Sequence, residues 1–473
     1  KEDAAGQTNE AKAAAGRGTA ATENQDVVVT GSRIISPTIT SVSPVQVISD
    51  VQIAQAGVAN LQDLLLENPV FGSPGLSRTN SAFLTSGTGA AIVDLRNLGS
   101  DRTLVLINGR RVVAGLPGSA TVDLNVVPAQ FLQRVDILTG GASSLYGSDA
   151  VAGVVNLVYK DNFQGIEGNA QYNVTERADT HDFQANVTVG GNFSEDRGNI
   201  MMHVGYTKQG ELLSRARANT AIDDSDKFIT QTFDPADYGT SVSPTFSGLP
   251  PQGVFTAGGC QFTFNPSTNA LERGFSANGG PITAAQSRAC GVPAGTALPA
   301  RGFNRQFYRT IAVPVERYLF ASRAHYDVTE SIRFIGEATY AKTSSSRNIE
   351  PFGFTSAGAN GAYPSGGQAP IETRVPGATA GTFNIVRNPF VPDAIYNAAT
   401  DTNGDGLKDI GFSRRLLEFG TRRSSTSRDF YRFVVGLEGD FASDRFHWDL
   451  TYNYGNTTEN QSGDGQINIP NFR

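Results

Sequence analysis

The chain has 473 residues, a formal charge of −7 and only 18% charged residues, with 52 glycines, two methionines and one tryptophan. An acidic balance with no Lys/Arg-rich block or basic helix excludes a nucleic-acid binder and argues against docking on an anionic membrane surface. No run of 18 apolar residues occurs, which excludes a membrane-crossing helix; a membrane barrel stays open, since its strands need only about 10 alternating residues each.

Residues 1–25 hold little apolar bulk and cannot offset the entropy of ordering, so they read as a disordered tether. Lys1 opens a polar Ala/Gly/Glu segment without a signal peptide, which fits a mature chain that has crossed the inner membrane. The next stretch, DVVVTG, contains the β-prone residues Asp26, Val27, Val28, Val29 and Thr30. Their physics allows two readings: the first strand of the following domain, or a free strand offered to the sheet edge of a partner.

In SPVQVISDVQIAQAGVANLQDLLLENP, Ser43 to Ile48 alternates as a strand and Asp50 can cap a short helix that ends at Gly57. Asn60 with Asp63 resembles a capping pair for Leu61 to Glu67, stopped by Asn68-Pro69, and Leu61, Leu64, Leu65 and Leu66 supply a core face. Two loops rich in Gly, Ser and Thr follow, at Phe71–Ala91 and Val113–Val122, separated by IVDLRNLGSDRTLVLINGRRV. The stretch LQRVDILTGGASSLYGSDAVAGVVNLVYK then pairs an alternating strand, Arg134–Thr139, with a β-branched run, Gly153–Tyr159, of the kind a doubly buried strand shows. Ser143 or Ser144 can cap one helical turn between them.

These segments, in this order, resemble the plug domain of TonB-dependent outer-membrane receptors. The resemblance covers residues 26–160 by motif and implies a TonB box at 26–31, a plug at 40–160 and TonB, with its inner-membrane energising complex, as a partner that adds a strand to Asp26–Thr30. It places the two Gly/Ser/Thr loops at the plug apex, where a ligand would meet Arg78, Asn80, Phe83, Leu116 and Pro117. Arg96 and Arg134 are expected to form ion pairs that hold the plug in its housing.

From Gly165 the pattern changes to apolar/polar alternation. Ile166, Gly168, Ala170, Tyr172 and Val174 oppose Glu167, Asn169, Gln171 and Asn173. Six more such strands are expected near 182–193, 199–208, 316–328, 331–343, 429–441 and 445–457. In the last, Phe446, Trp448, Leu450, Tyr452 and Tyr454 share a face opposite His447, Asp449, Thr451 and Asn453. SEDRG, VTE and ASD join alternate pairs, whereas 209–315, 344–428 and 458–473 are expected as long extracellular loops; short turns alternating with long loops mark a membrane barrel, with the short turns periplasmic.

The expected fold is therefore an all-β transmembrane barrel with an N-terminal α+β plug in its lumen, residues 165–473 supplying seven strands of the about 22 that the resemblance implies. Two unpaired edges would be costly in lipid, so the remaining strands are expected from a C-terminal piece, either a separate chain or a continuation.

Asp401, Asn403, Asp405, Leu407 and Asp409 fall at positions 1, 3, 5, 7 and 9 of an EF-hand-like loop that could hold a structural calcium ion, although position 12 is Phe412 and not Glu. Cys260 and Cys290, the only cysteines, are expected to form a disulfide within one long loop. His181, His203, His325 and His447 are scattered over strands without a metal or nucleophile motif, and read as solvated lumen residues. No enzyme, and no required cofactor, is expected.

The resulting expectation is TonB-dependent import of a nutrient (saccharide, peptide or metal chelate) across the outer membrane, with outer-membrane lipid and lipopolysaccharide around the barrel. No basic cluster for anionic chelates is evident, and the Asn, Asp, Tyr and Phe of the loops point to saccharide or peptide over a ferric siderophore. The alternative is a surface receptor or scaffold whose long loops hold a partner protein or lipoprotein.

Overall fold

The structure, a computed structural model, describes residues 45–80, 86–140, 142–223, 245–357, 361–363, 367–441 and 446–469. Seven antiparallel strands form one sheet in strict chain order, with no crossover. They are β6 (Gly165–Val174), β7 (His181–Phe193), β8 (Gly198–Gln209), β9 (Val315–Thr329), β10 (Ile332–Pro351), β11 (Thr421–Phe441) and β12 (Phe446–Asp464). All seven expected strands are present, but 344–351, 421–428 and 458–464, expected within long loops, are strand: they extend β10, β11 and β12. β10 and β11 run to 20 and 21 residues, beyond the alternation visible in sequence, because their upper halves are polar on both faces.

The two faces of this wall are inverted relative to a water-soluble sheet. One row buries polar groups, among them Gln184, Asn186, Thr188, His203, Arg317, Glu337, Arg428 and Arg432, while the other exposes Ile166, Val187, Val204, Phe433, Leu450 and Tyr452. A sheet with water on its outer face would expose the first set and bury the second; apolar-out, polar-in alternation suits lipid. Tyr206, Tyr318, Tyr340 and Tyr454 lie in the outward row, and three of them turn their hydroxyls on carboxylates: Tyr206 and Tyr318 donate to Glu316, and Tyr340 to Asp429. An aromatic body with a satisfied polar tip is the chemistry of a membrane–water interface.

The plug is a five-stranded sheet with β1 (Val45–Ser49), β2 (Thr103–Ile107), β3 (Arg110–Arg111), β4 (Leu132–Leu138) and β5 (Gly153–Tyr159), in the order β1-β4-β5-β2-β3. Only β2 and β5 are parallel. All five residues of β2 are buried and β5 is nearly so, which explains their unbroken β-branched runs. Gly153 sits at φ +144°, where an added Cβ would lie 2.3 Å from the Leu138 carbonyl; only glycine lets β5 start this close to β4.

Helix α1 (Asp50–Ala56) is capped by Ser49, not Asp50: Ser49 and Gln52 form a reciprocal capping box, and Gly57 closes the helix at φ 60°. In α2 (Leu61–Leu66) Asn60 caps by accepting from the Gln62 amide; Asp63 gives no reciprocal bond. The single turn α3 (Ser143–Tyr146) starts at the expected serines, yet Ala142 occupies the cap position and no side chain caps it.

The plug packs on the polar-buried face of the wall. Its core of Leu61, Leu65, Leu95, Phe131, Val135, Leu157 and others continues into Met201, Leu319, Ala321, Ala341 and Phe430 of β8–β11. The described residues of the two long connections form further strands and helices. Val254–Ala257 from the first pairs with Asp409–Arg415 from the second, in a small sheet that also holds Cys260–Phe264, Leu271–Arg273 and Gly353–Thr355. Helix α4 (Ala284–Cys290) packs on it through the Cys260–Cys290 disulfide, with Phe262, Ile282, Ile371 and Ile395 buried around it. We refer to this unit, built from both connections, as the cap.

Candidate functional site

The seam between plug and wall is held by wall arginines that donate mainly to plug carbonyls. Arg317 donates to the Ala59 carbonyl at 3.0 Å and Arg323 to those of Tyr159 and Lys160 at 3.0 and 3.1 Å. Arg428 donates to the Thr88 carbonyl at 2.9 Å and faces Asp123 at 3.7 Å. Arg432 pairs with Glu337 at 2.9 Å, and the other oxygen of Glu337 accepts from the plug's Asn108 at 2.5 Å. Arg317, Arg428, Arg432, Glu337 and Asp123 are buried, so each of these charges needs its partner. Burial also pushes the Tyr159 phenol up, well away from ionisation.

The expected plug anchors differ. Arg134 pairs with Asp136 two residues along its own strand, and the Arg96 guanidinium donates to the Thr139 carbonyl; neither reaches the wall. The seam is instead fastened from the wall side. A wall arginine is anchored on a rigid sheet, so its reach to a loop carbonyl is well defined; this role has no sequence signal beyond an Arg in an inward-facing register position.

Of the residues expected at the plug apex, Arg78 is held on three sides. It donates to the carbonyls of Gly210 and Val313 and pairs with Asp182 at 3.3 Å, while the Val313 amide donates back to the Arg78 carbonyl at 2.8 Å. Gly210 and Val313 are the two roots of the first long connection, so one plug residue ties them together. Asn80 folds back on the Pro74 and Gly75 carbonyls. Leu116 lies against Gly87, which brings the two apex loops into contact, and Pro117 is exposed. Phe83 and residues 26–30 lie outside the described residues.

Asp401, Asn403 and Asp405 spend their oxygens on backbone amides. Asp401 accepts from Gly404 and Gly406 at 2.7 and 2.8 Å, Asn403 from Asp405, and Asp405 from Leu407. These amides, that of Gly406 foremost, hold the Asp401 carboxyl below the usual carboxylate range. Asp409 accepts from Thr402, and a cation would have to displace these donors. Among the described residues, no group of three His, Cys, Asp or Glu side chains is placed to hold a metal ion. His203 and His325 are buried against the plug seam rather than solvated; His181 is exposed and His447 pairs with Asp440.

An inverted wall carrying a fastened plug on its polar face defines a plugged membrane β-barrel protein. The family model of the TonB-dependent Receptor Plug Domain matches residues 37–154. Residues 37–154 thus have the fold and the sequence pattern of that plug domain. Among solved structures it is similar to the siderophore receptor PirA from Pseudomonas aeruginosa, at 14% identity over 90% of this chain and 49% of that one, with TM-score 0.35. It is similar also to PirA from Acinetobacter baumannii, at 15% identity over 88% and 48%, with TM-score 0.33. For the ferric citrate transporter FecA the identity is 14% over 89% and 60%, with TM-score 0.31. The chain thus spans about half to three-fifths of the length of these receptors.

Proposed function

We propose that the chain serves TonB-dependent import of a nutrient, a saccharide, peptide or metal chelate, across the bacterial outer membrane. The observation that carries this reading is the plug itself: a folded domain matching the TonB-dependent receptor plug, fastened to the polar face of a lipid-type wall. In this reading the short turns and residues 26–30 face the periplasm, where TonB adds a strand to Asp26–Thr30. The cap and the apex loops face outward and meet the ligand near Asn80, Phe83, Leu116 and Pro117, with Arg78 linking plug to cap. Force on the N-terminal segment then breaks seam contacts of the Arg317, Arg323 and Arg428 type, and no covalent chemistry is required.

A second reading, a surface scaffold for a partner protein or lipoprotein, draws on one observation: Phe383, Ile385 and Phe390 of the cap stand exposed, Phe390 at 92%. Uptake separates the two. Cells expressing the complete receptor are given a mixture of saccharides, peptides and ferric chelates, and depletion of the medium is followed with and without TonB. Import predicts a compound consumed only when receptor and TonB are both present; depletion indifferent to TonB would contradict it.

A further inference from the structure

Where the cap meets the rim of the wall, four arginines from distant parts of the sequence gather around two carboxylates. Arg309 grips Glu350 of β10 with two bonds of 2.7 and 3.1 Å. Arg422 of β11 donates to the same side chain at 3.3 Å and to the Glu350 carbonyl at 3.0 Å. Arg415, the last residue of the cap strand Asp409–Arg415, lies 3.8 Å from Glu350 and donates to the Pro351 carbonyl and the Ser247 hydroxyl. Arg305 pairs with Asp223 beside them, and Asp223 is buried.

Among the described residues, four guanidiniums therefore share two carboxylates. Charge imbalance in a site this enclosed is costly, because neither water nor salt screens it well. Two further features mark where compensation is missing. Arg415 is only 5% exposed and its Nε has no hydrogen-bond partner. Burial and the nearby cations Arg422, Arg305 and Arg309 press its pKa down to about 10 against the pull of Glu350. An aromatic wall completes the site on one side: Arg415 lies over the Phe303 ring at 5.4 Å, and Phe303 stacks on Tyr308.

We propose that Arg305, Arg309, Arg415 and Arg422 form a binding site for one oxyanion group, a carboxylate or a phosphate, held between the cap and the rim of the wall. Planar guanidiniums present paired donors that match either group, and an anion here balances the charge while bridging the two long connections to β10 and β11. The site does not depend on the import reading, since it could hold a free inorganic anion or the anionic group of a larger ligand.

The test is calorimetric titration of the complete protein in detergent micelles with inorganic phosphate at low ionic strength. Saturable binding at one site is expected, weakened about tenfold or more by Arg415→Gln or Arg422→Gln, as expected for loss of a charged hydrogen bond. It should be unchanged by Arg288→Gln on the exposed face of α4. Because Arg415 also supports the cap, Glu350→Gln supplies a reading of opposite sign: removing a competing carboxylate should tighten phosphate binding several-fold, which a merely structural role would not do. Competition by citrate would assign the site to organic carboxylates, whereas phosphate that citrate cannot displace would assign it to a resident inorganic anion. No saturable phosphate binding by the unaltered protein, or equal binding in all four variants, would overturn the proposal.

Discussion

Arg428 of the wall and Asp123 of the plug, both almost fully buried, face each other across the seam at 3.7 Å. Asp123 also accepts from the Ala91 and Asn125 amides, and Arg428 from the opposite side holds the Thr88 carbonyl and Glu459. One wall side chain thereby ties the loop 71–91, through Thr88, and Asp123, which follows the loop 113–122, to the sheet.

Arg428→Ala should leave Asp123 and Glu459 without their cation. Removing one partner of a buried pair costs about 3–5 kcal/mol. Hydrogen exchange at the Ala91 and Asn125 amides should rise steeply while that of β5 stays protected. Unchanged exchange at both amides would show that the pair does not hold the loop.

Gly89→Ala should wedge plug from wall. Gly89 has φ +75°, and an added Cβ would lie 2.4 Å from the Ser345 hydroxyl oxygen and 2.5 Å from its Cβ on β10. Ser345→Gly in the same chain should relieve the clash but not the backbone strain of about 1–2 kcal/mol. Thermal unfolding of the three variants should therefore rank unaltered, double, then Gly89→Ala; a single variant as stable as the unaltered chain would contradict the close approach.

The cap should loosen in acid through Glu272. Arg301 binds it with bonds of 2.6 and 2.7 Å and holds its carboxyl below the ordinary value of 4.5. A depressed carboxyl contributes stability that is complete above its ordinary value and is lost as pH falls through the lower folded value. Protease resistance of the cap should accordingly decline below pH 4.5, and Arg301→Gln should be less resistant at neutral pH with a flatter decline. A profile identical in the two proteins would remove the bridge from the account.

Reduction of Cys260–Cys290 should open the cap and spare the plug. The bond closes a 30-residue separation, and such a loop is worth roughly 3–4 kcal/mol on the chain-entropy view. Proteolysis should then cut within 260–290 at higher rate with the plug fragment intact.

The wall was legible because lipid on one side and a plug on the other force a two-residue period that each strand carries alone, and because short turns punctuate it. The cap was not. Its strands are two to seven residues long, and Val254–Ala257 finds its partner in Asp409–Arg415 only after a long excursion of chain. The basic cluster at the rim escaped for the same reason, since residues 305, 309, 415 and 422 are neighbours only in space. Ser49 could have been preferred over Asp50 from sequence, since Gln52 completes a capping box only with Ser49. Nothing in the sequence showed that Arg134 would turn to Asp136, or that Arg317 and Arg428 would take over the fastening.

The most direct test of TonB-dependent import is site-specific photocrosslinking of the complete receptor in cells from a probe at residue 31 to the periplasmic domain of TonB. The account predicts a crosslink that Val28→Pro abolishes, because proline removes a donor that strand addition needs, with plug and wall still folded. A crosslink undiminished by Val28→Pro, or none in the unaltered receptor, would contradict it.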